Sequence, residues 1–375
     1  MKVSVIVLGL ALAAGTSWAQ RFKIGDVNSQ TPEGHLLQQI GQESDESKKL
    51  PLMEQFVAKY SNEQAVGWVY EQMQTAYLKT NQPGKAIAVG EKLIALDAED
   101  AEAAHQNLKA AQASKDPDLI RKWAMLTFDT AQRVVASPQP KDTSEVGNWK
   151  QRVDWASQVK TYADYSLYAA ALQTPDPKKK IVLIEALEKQ DPKSQYLPQT
   201  IPTLFFAYRQ TGANDKALAL AEKTLATDQS NEDMLLVVAD NDLQNKRNPE
   251  QVHEYSAKIV QIMSAKSKPD GVSDADWETR KKTIMGVAHY MSGKLYYTQN
   301  NFASSDQELR AALPLIQEPQ LKPEVLFYLG VANYKLQKIQ DAANFNKECA
   351  AAHSPYQAMC TKNLTAIRTQ YKGLK

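Results

Sequence analysis

The residues of this 375-residue chain that could do chemistry are five histidines, two cysteines and a scatter of carboxylates. His35, His105, His253, His289 and His353 never fall four apart on a helix with a glutamate between them, the arrangement that holds zinc for hydrolysis. No glycine-rich loop leads into Lys-Ser or Lys-Thr, so no phosphate cradle is visible, and Pro83-Gly84-Lys85 reads as a turn. No Gly-x-Ser-x-Gly elbow is present to expose a serine nucleophile. Glu185 and Glu188 share a helix face, where an acid–base pair would sit, but surface pairs of this kind are ordinarily solvated. Catalysis needs a nucleophile, a base and an orienting group to converge. The sequence offers no such set, and the expectation is a chain without catalytic residues, metal or cofactor.

Cys349 and Cys360 flank the break at His353-Ser354-Pro355 and are candidates for a disulfide across a helix pair, which an oxidising compartment would permit. Two small buried residues filling tight contacts would explain them equally well. Export is written at the N-terminus. Lys2 precedes an apolar run from Val3 to Ala14, and Ser17-Trp18-Ala19 puts small residues where a signal peptidase reads them. Cleavage after Ala19 is expected, which makes residues 1–19 a signal peptide and the protein periplasmic or secreted. The apolar run falls short of the roughly 20 residues that span a bilayer, and nothing later is apolar enough to do so. With 44 Lys and Arg against 43 Asp and Glu, the chain has no field to gather nucleic acid or an anionic membrane. Lys178-Lys179-Lys180 is too short and isolated for a nucleic-acid stripe.

The elements that carry these residues are helical. Apolar residues recur at three- and four-residue steps from Thr31 onward, and Gly is sparse. Breaks such as Thr80 to Gly84, Gln173 to Pro177 and Thr211 to Asp215 punctuate the pattern with turn residues. One spacing repeats. Tyr77 stands before Ala86 as Tyr208 does before Ala217 and Tyr296 before Ser305, and with substitutions as Leu243 does before Val252 and Asn333 before Ala342. A further packing position follows each pair at a constant step, at Leu93, Thr224, Ala312, Ile259 and Cys349. Gly293 and Gly330 precede Tyr296 and Asn333 where a side chain would block a helix crossing.

This arrangement resembles the tetratricopeptide repeat, a helix–turn–helix unit of about 34 residues. The resemblance covers nearly the whole chain after residue 30 and is fullest around Gly67–Asp97, Pro198–Asp228 and Gly286–Pro355. It is thin at Thr31, Ala101 and Asp233, and the family's usual Trp is replaced by Tyr70, Leu204 and Leu326. It implies an all-α, right-handed superhelical solenoid of about eight antiparallel hairpins, starting near Thr31, Gly67, Ala101, Thr161, Pro198, Asp233, Gly286 and Pro323. An N-terminal extension (20–30) precedes hairpins in 31–136, 149–263 and 277–355. Insertions at 137–148 and 264–276 separate them, and a capping helix with tail follows over 356–375.

In that family the first helix of each hairpin lines a groove that receives a partner. Carried onto this chain, the inward side contains Tyr162, Tyr165, Phe206, Arg209, Tyr290, Lys294, Tyr297, Phe327, Tyr334 and Lys335. Aromatics with a few cations favour interfaces, because they bury large area at small entropic cost. The Lys and Asn pairs with which some members clamp a C-terminal carboxylate are not visible. The segment Leu52 to Asn62 is similar to helices in bacterial envelope members. The expectation is a non-catalytic scaffold holding a protein or peptide of the envelope, with a glycan- or solute-binding solenoid using the same aromatics as the alternative. Oligomeric state is not legible in the sequence.

Overall fold

The computed structural model describes Phe22, Ile24, Asn28 and residues 30–372. The expected signal peptide and its cleavage site lie outside the described residues. The seventeen regular elements described are all α-helices. They pair in chain order: α1 (Pro32–Gln42) with α2 (Glu46–Lys59), α3 (Val66–Lys79) with α4 (Pro83–Leu96), and α5 (Ala101–Ser114) with α6 (Pro117–Val135). There follow α7 (Val146–Gln173) with α8 (Pro177–Gln190), then α9 (Leu197–Gln210) and α10 (Asn214–Leu225) in sequence, and α11 (Glu232–Gln244) with α12 (Pro249–Ala265). The last pairs are α13 (Asp274–Thr298) with α14 (Phe302–Ala312) and α15 (Leu321–Lys335) with α16 (Ile339–Ala351), and α17 (Gln357–Gln370) closes the array. No helix among the described residues is long and apolar enough to cross a membrane.

The helices start where local chemistry says they should. Side chains of Thr31, Asp45, Asp100, Asp116, Asp176, Asn231, Ser273 and Asn301 accept from the otherwise unpaired N–H groups of the first turn. Proline occupies the first helical position at residues 32, 83, 117, 177 and 249, where its missing N–H is not needed.

Five helices end in the same turn. Asn81, Gly212, Lys246, Asn300 and Gln337 are left-handed, with φ between 54° and 75°. The N–H of the following residue then reaches back five residues to a carbonyl of the first helix. Gln82 donates to Tyr77 at 2.8 Å, Ala213 to Tyr208 at 2.9 Å, Arg247 to Asp242 at 2.8 Å, Asn301 to Tyr296 at 2.9 Å and Lys338 to Asn333 at 2.9 Å. This bond caps the helix end and redirects the chain. In the α11–α12 hairpin the equivalent residue is Asp242 rather than Leu243. Residues 246–248 make that turn one residue longer, which shifts the spacing to Val252.

The chain forms two compact units that divide between Asn214 and Asp215. In the first, α3 packs on α4 and α5, α5 on α6 and α7, and α7 on α8 and α9. In the second, α13 packs on α11, α12, α14 and α15, and α15 packs on α16 and α17. First helices therefore lie beside first helices within each unit, as a helical repeat requires. The repeated positions are the contact points: Tyr77, Ala86 and Leu93 are buried in the first unit, and Ser305, Ala312, Asn333, Ala342 and Cys349 in the second. Glycines let the backbones close up. A Cβ on Gly330 would stand 2.4 Å from the Asn346 amide, and one on Gly293 would stand 2.7 Å from Leu309.

The two expected insertions are mostly non-helical, and the rest of the extra length in these intervals lies in longer helices. Only residues 136–145 separate α6 from α7, and the extra length appears in α7, which runs for 28 residues against 14 in α3. Its first half is held because Ala156 and Val159 bury against Ala131, with Trp155, Val134 and Val135 around them. Likewise α12 continues to Ala265 and α13 begins at Asp274. The α13 extension buries Trp277 and sends Arg280 to Asp233 at 2.6 Å and to Glu232 at 3.3 Å, while Lys266 reaches Glu232 at 2.7 Å.

At the C-terminal end Cys349 and Cys360 are joined by a disulfide, with Cα atoms 5.8 Å apart. Both are buried with Leu326 among Leu313, Phe327, Phe345 and Tyr356.

One buried polar network holds neighbouring hairpins of the first unit together. Gln74 Nε2 donates to Asn107 Oδ1 at 2.8 Å and to the Ala103 carbonyl at 3.0 Å, directly above Gly90. A Cβ on Gly90 would lie 2.1 Å from Asn107 Oδ1 and 2.3 Å from Gln74 Nε2. Gly90→Ala is therefore expected to destabilise the first unit by about 1–3 kcal/mol despite the better helix propensity of Ala, as measured by urea unfolding.

Candidate functional site

The six inward residues expected in the second unit divide on inspection. Tyr290, Lys294 and Tyr297 project from one face of α13, at three- and four-residue steps. Lys294 Nζ donates to the Tyr290 hydroxyl at 3.0 Å and to Glu324 Oε1, on α15, at 2.9 Å. It also lies 5.4 Å from the Tyr290 ring centre and 5.9 Å from that of Tyr328, within cation–π range. The hydroxyls of Tyr290, Tyr328 and Tyr356, the last standing just before α17, also face the Glu324 carboxylate. Three phenols and an amine thus converge on one carboxylate.

Around this centre Tyr297 packs on Tyr328 at 4.7 Å and on Phe302 at 5.9 Å, while Phe327 meets Tyr356 at 5.3 Å. Tyr290 is buried, whereas Tyr297, Phe327, Tyr328 and Tyr356 are half-buried and form the accessible part. Tyr334 and Lys335 stand apart from the cluster. Tyr334 donates to Gln370 at 2.8 Å and packs by Ala342 and Ile367, tying α15 to α17, and Lys335 is exposed at the end of α15.

The electrostatics follow from this packing. Burial opposes ionisation of Glu324, but hydrogen bonds from Lys294 and Tyr290, the Lys294 charge and the Tyr356 hydroxyl outweigh it and hold the carboxyl below its ordinary range. Burial and then the facing Glu324 carboxylate push the Tyr290 phenol up. Tyr328 is raised by burial, the Glu324 charge and Tyr356, and Tyr356 is pushed up to about 12 by burial and Glu324. The phenols stay protonated donors. An arrangement of fixed donors, one ionised acceptor and aromatic faces can orient and grip a bound group, and it contains no paired nucleophile and base.

Of the four residues expected in the first unit, Tyr165 and Phe206 are exposed. Tyr165 lies 5.7 Å from Tyr196 and 6.2 Å from Tyr168, and Tyr168 stacks on Tyr196 at 5.2 Å. Tyr162 instead packs between α5 and α7, hydrogen-bonded to Gln112, with its ring 5.3 Å from buried His105. Arg209 is exposed at the end of α9, where it donates to Asn214 at 3.3 Å. Beneath the tyrosine group Asp164 is buried and accepts from Gln190 at 2.7 Å. Burial, outweighing hydrogen bonds from Gln190 and Ser194, together with the facing Asp191 carboxyl raises Asp164 to about 6.

Glu324, Tyr328, Tyr356, Tyr168 and Tyr196 belong to these groups but were not among the expected residues. Glu324 and Tyr328 are four apart on α15, which places them on one face, but their acceptor role appears only once α13 is set against them. Tyr356 and Tyr196 lie just outside helices, beyond the reach of a helix-face reading.

Comparison with known proteins adds little to this geometry. No family model matches the chain, and none of the curated proteins does. Among solved structures it is similar to the tetratricopeptide-repeat domain of P58(IPK), at 13% identity and a TM-score of 0.27, over 90% of this chain and 98% of that one. It is also similar to a STAND-type signal-transduction ATPase with a tetratricopeptide-repeat sensor from Pyrococcus horikoshii, at 15% identity and a TM-score of 0.31. That match covers 84% of this chain and 43% of the ATPase, so the chain spans less than half of its length. The helical repeat of this chain is defined by its own turns and close contacts.

Two outcomes follow. Glu324→Ala leaves Lys294 and three phenols without their acceptor and is expected to destabilise the second unit by about 2 kcal/mol, while Glu324→Gln, which keeps an acceptor oxygen, loses less than half of that in thermal or urea unfolding. For Asp164 the native carboxyl binds its proton up to about pH 6, whereas the unfolded one releases it near a pKa of roughly 3.9. The native state therefore holds more protons between these values, and stability falls as pH rises through the window. Asp164→Asn should be about 2 kcal/mol more stable than the parent at pH 7.5, with the gap closing toward pH 4.

Proposed function

We propose that this protein is a non-catalytic scaffold of the bacterial cell envelope that holds a protein or peptide partner through the first helices of its hairpins. The observation that carries the reading is the Lys294–Glu324 pair set among Tyr290, Tyr328 and Tyr356, with Tyr297 and Phe327 at its accessible edge. Such a site has rigid aromatic area and preset hydrogen-bond donors, the two properties that concentrate binding energy at protein interfaces. Because its ionisable groups already satisfy one another, it suits recognition better than proton transfer.

The envelope location is supported by the sequence of residues 1–19, which has a positive start, an apolar run and a small-residue cleavage site. The Cys349–Cys360 disulfide agrees with it, because such bonds persist in oxidising compartments.

The test is capture from the envelope fraction of the source cell, comparing the parent with a Tyr297→Ala/Phe327→Ala variant whose circular dichroism is unchanged. A protein retained by the parent and reduced at least tenfold by the variant supports the reading. Equal retention by both places the contact elsewhere. Retention of the purified parent on immobilised glycan, lost in the same variant, would replace the scaffold with a glycan-binding solenoid.

A further inference from the structure

The acid and tyrosines at the centre of the second unit's site are built a second time in the first unit. Glu324, Tyr328, Ser354 and Tyr356 follow one another at the same intervals as Asp164, Tyr168, Ser194 and Tyr196. In each set the acid stands one helical turn before a tyrosine on a first helix, α15 or α7. The second tyrosine immediately precedes the helix packed beside it, α17 or α9. Its N–H donates to the serine hydroxyl, at 3.3 Å for Tyr356 and 3.5 Å for Tyr196, and φ is −87° at both.

The two sets differ in what meets the carboxylate. Glu324 is paired with the Lys294 ammonium at 2.9 Å, which also lies 5.9 Å from the Tyr328 ring centre. Asp164 accepts from Gln190 Nε2 at 2.7 Å and faces the carboxyl of Asp191. Among the described residues no lysine, arginine or histidine pairs with either aspartate, and the covered Gln190 Oε1 has no donor. Lys193 gives Asp191 its backbone N–H, at 3.0 Å. The two acids are accordingly displaced in opposite directions, Glu324 below its ordinary range and Asp164 above it. Two facing carboxyl groups under tyrosine rings are short of one positive charge. The way in is from the surface, because the Tyr165 ring is exposed 5.7 Å from Tyr196, and Asp191, Tyr168 and Tyr196 are half-buried.

We propose that Asp164 and Asp191, with Tyr165, Tyr168 and Tyr196, form a binding site for an alkylammonium group, supplied by a lysine side chain of the bound partner. The ammonium takes the place that Lys294 fills in the second unit. It meets the carboxylates, while the methylene stem lies along the tyrosine faces, whose electron density attracts the cation. The site itself is independent of the scaffold reading, and the source of the lysine in a partner protein rests on it.

The probe is Nα-acetyl-lysine N-methylamide, with the norleucine compound as its uncharged control. Binding to the full-length purified protein is read by saturation-transfer NMR near neutral pH and at constant ionic strength. Transfer to the lysine side-chain methylenes is expected, with at least tenfold less to norleucine. Asp164→Asn, which keeps an acceptor for Gln190, and Tyr165→Ala, at an exposed position, should each weaken binding at least tenfold. The double variant Asp164→Asn/Lys294→Ala should regain transfer, because it vacates the second copy of the constellation. No transfer to the parent, or equal affinity for the parent and Asp164→Asn, would overturn the proposal, and a silent double variant counts against the equivalence of the two sets. An envelope protein captured equally by the parent and Asp164→Asn would overturn the partner as the source of the lysine, whereas capture of no protein at all counts against the scaffold reading instead.

Discussion

The architecture depends on how closely two helix backbones can approach. The α3–α4, α11–α12, α13–α14 and α15–α16 hairpins are closed by a left-handed residue and a hydrogen bond reaching back five residues, which fixes where the second helix starts relative to the first. Once that is fixed, only small residues fit at the crossing, and Ala86, Ser305 and Ala342 occupy it, all buried. Gly90, Gly293 and Gly330 take the next contact, where even a methyl group would strike a neighbouring side chain. Turn and contact enforce each other, because a different turn would move the small residues off the crossing.

This constraint explains why so much of the fold was legible in the sequence. Spaced pairs such as Tyr77 with Ala86 and Asn333 with Ala342 are local consequences of a turn of fixed length, so they survive in the sequence as fixed intervals. The α11–α12 hairpin shows the limit. An extra turn residue moved the equivalent position to Asp242, and a ruler of constant length named its neighbour. The long intervals were legible as extra residues but not as helix, because the first half of α7 is held by packing on α6 through Ala131, Ala156 and Val159, a contact between distant residues.

The candidate site was legible only in part, for the same reason. Tyr290, Lys294 and Tyr297 share a face of one helix and could be grouped from their spacing. Glu324, which organises them, comes from the next hairpin and reads in sequence as one more surface carboxylate. Tyr162 was placed inward by the family resemblance, but its hydroxyl is taken by Gln112 and its ring by His105, so it is packing between helices. Spacing identifies a face, and only the neighbouring element decides whether that face is covered.

The covalent loop between Cys349 and Cys360 has a consequence for how the array comes apart. In a one-dimensional stack each unit is held only by its neighbours, so melting ordinarily begins by fraying at a free end. Here the start of the last helix cannot leave α16, because its first turn is bonded there and the connection between them is confined to a short ring. The stapled first turn keeps the rest of α17 tethered beside α16 when it frays, so the cover over Ile367 and Gln370 can re-form without a search.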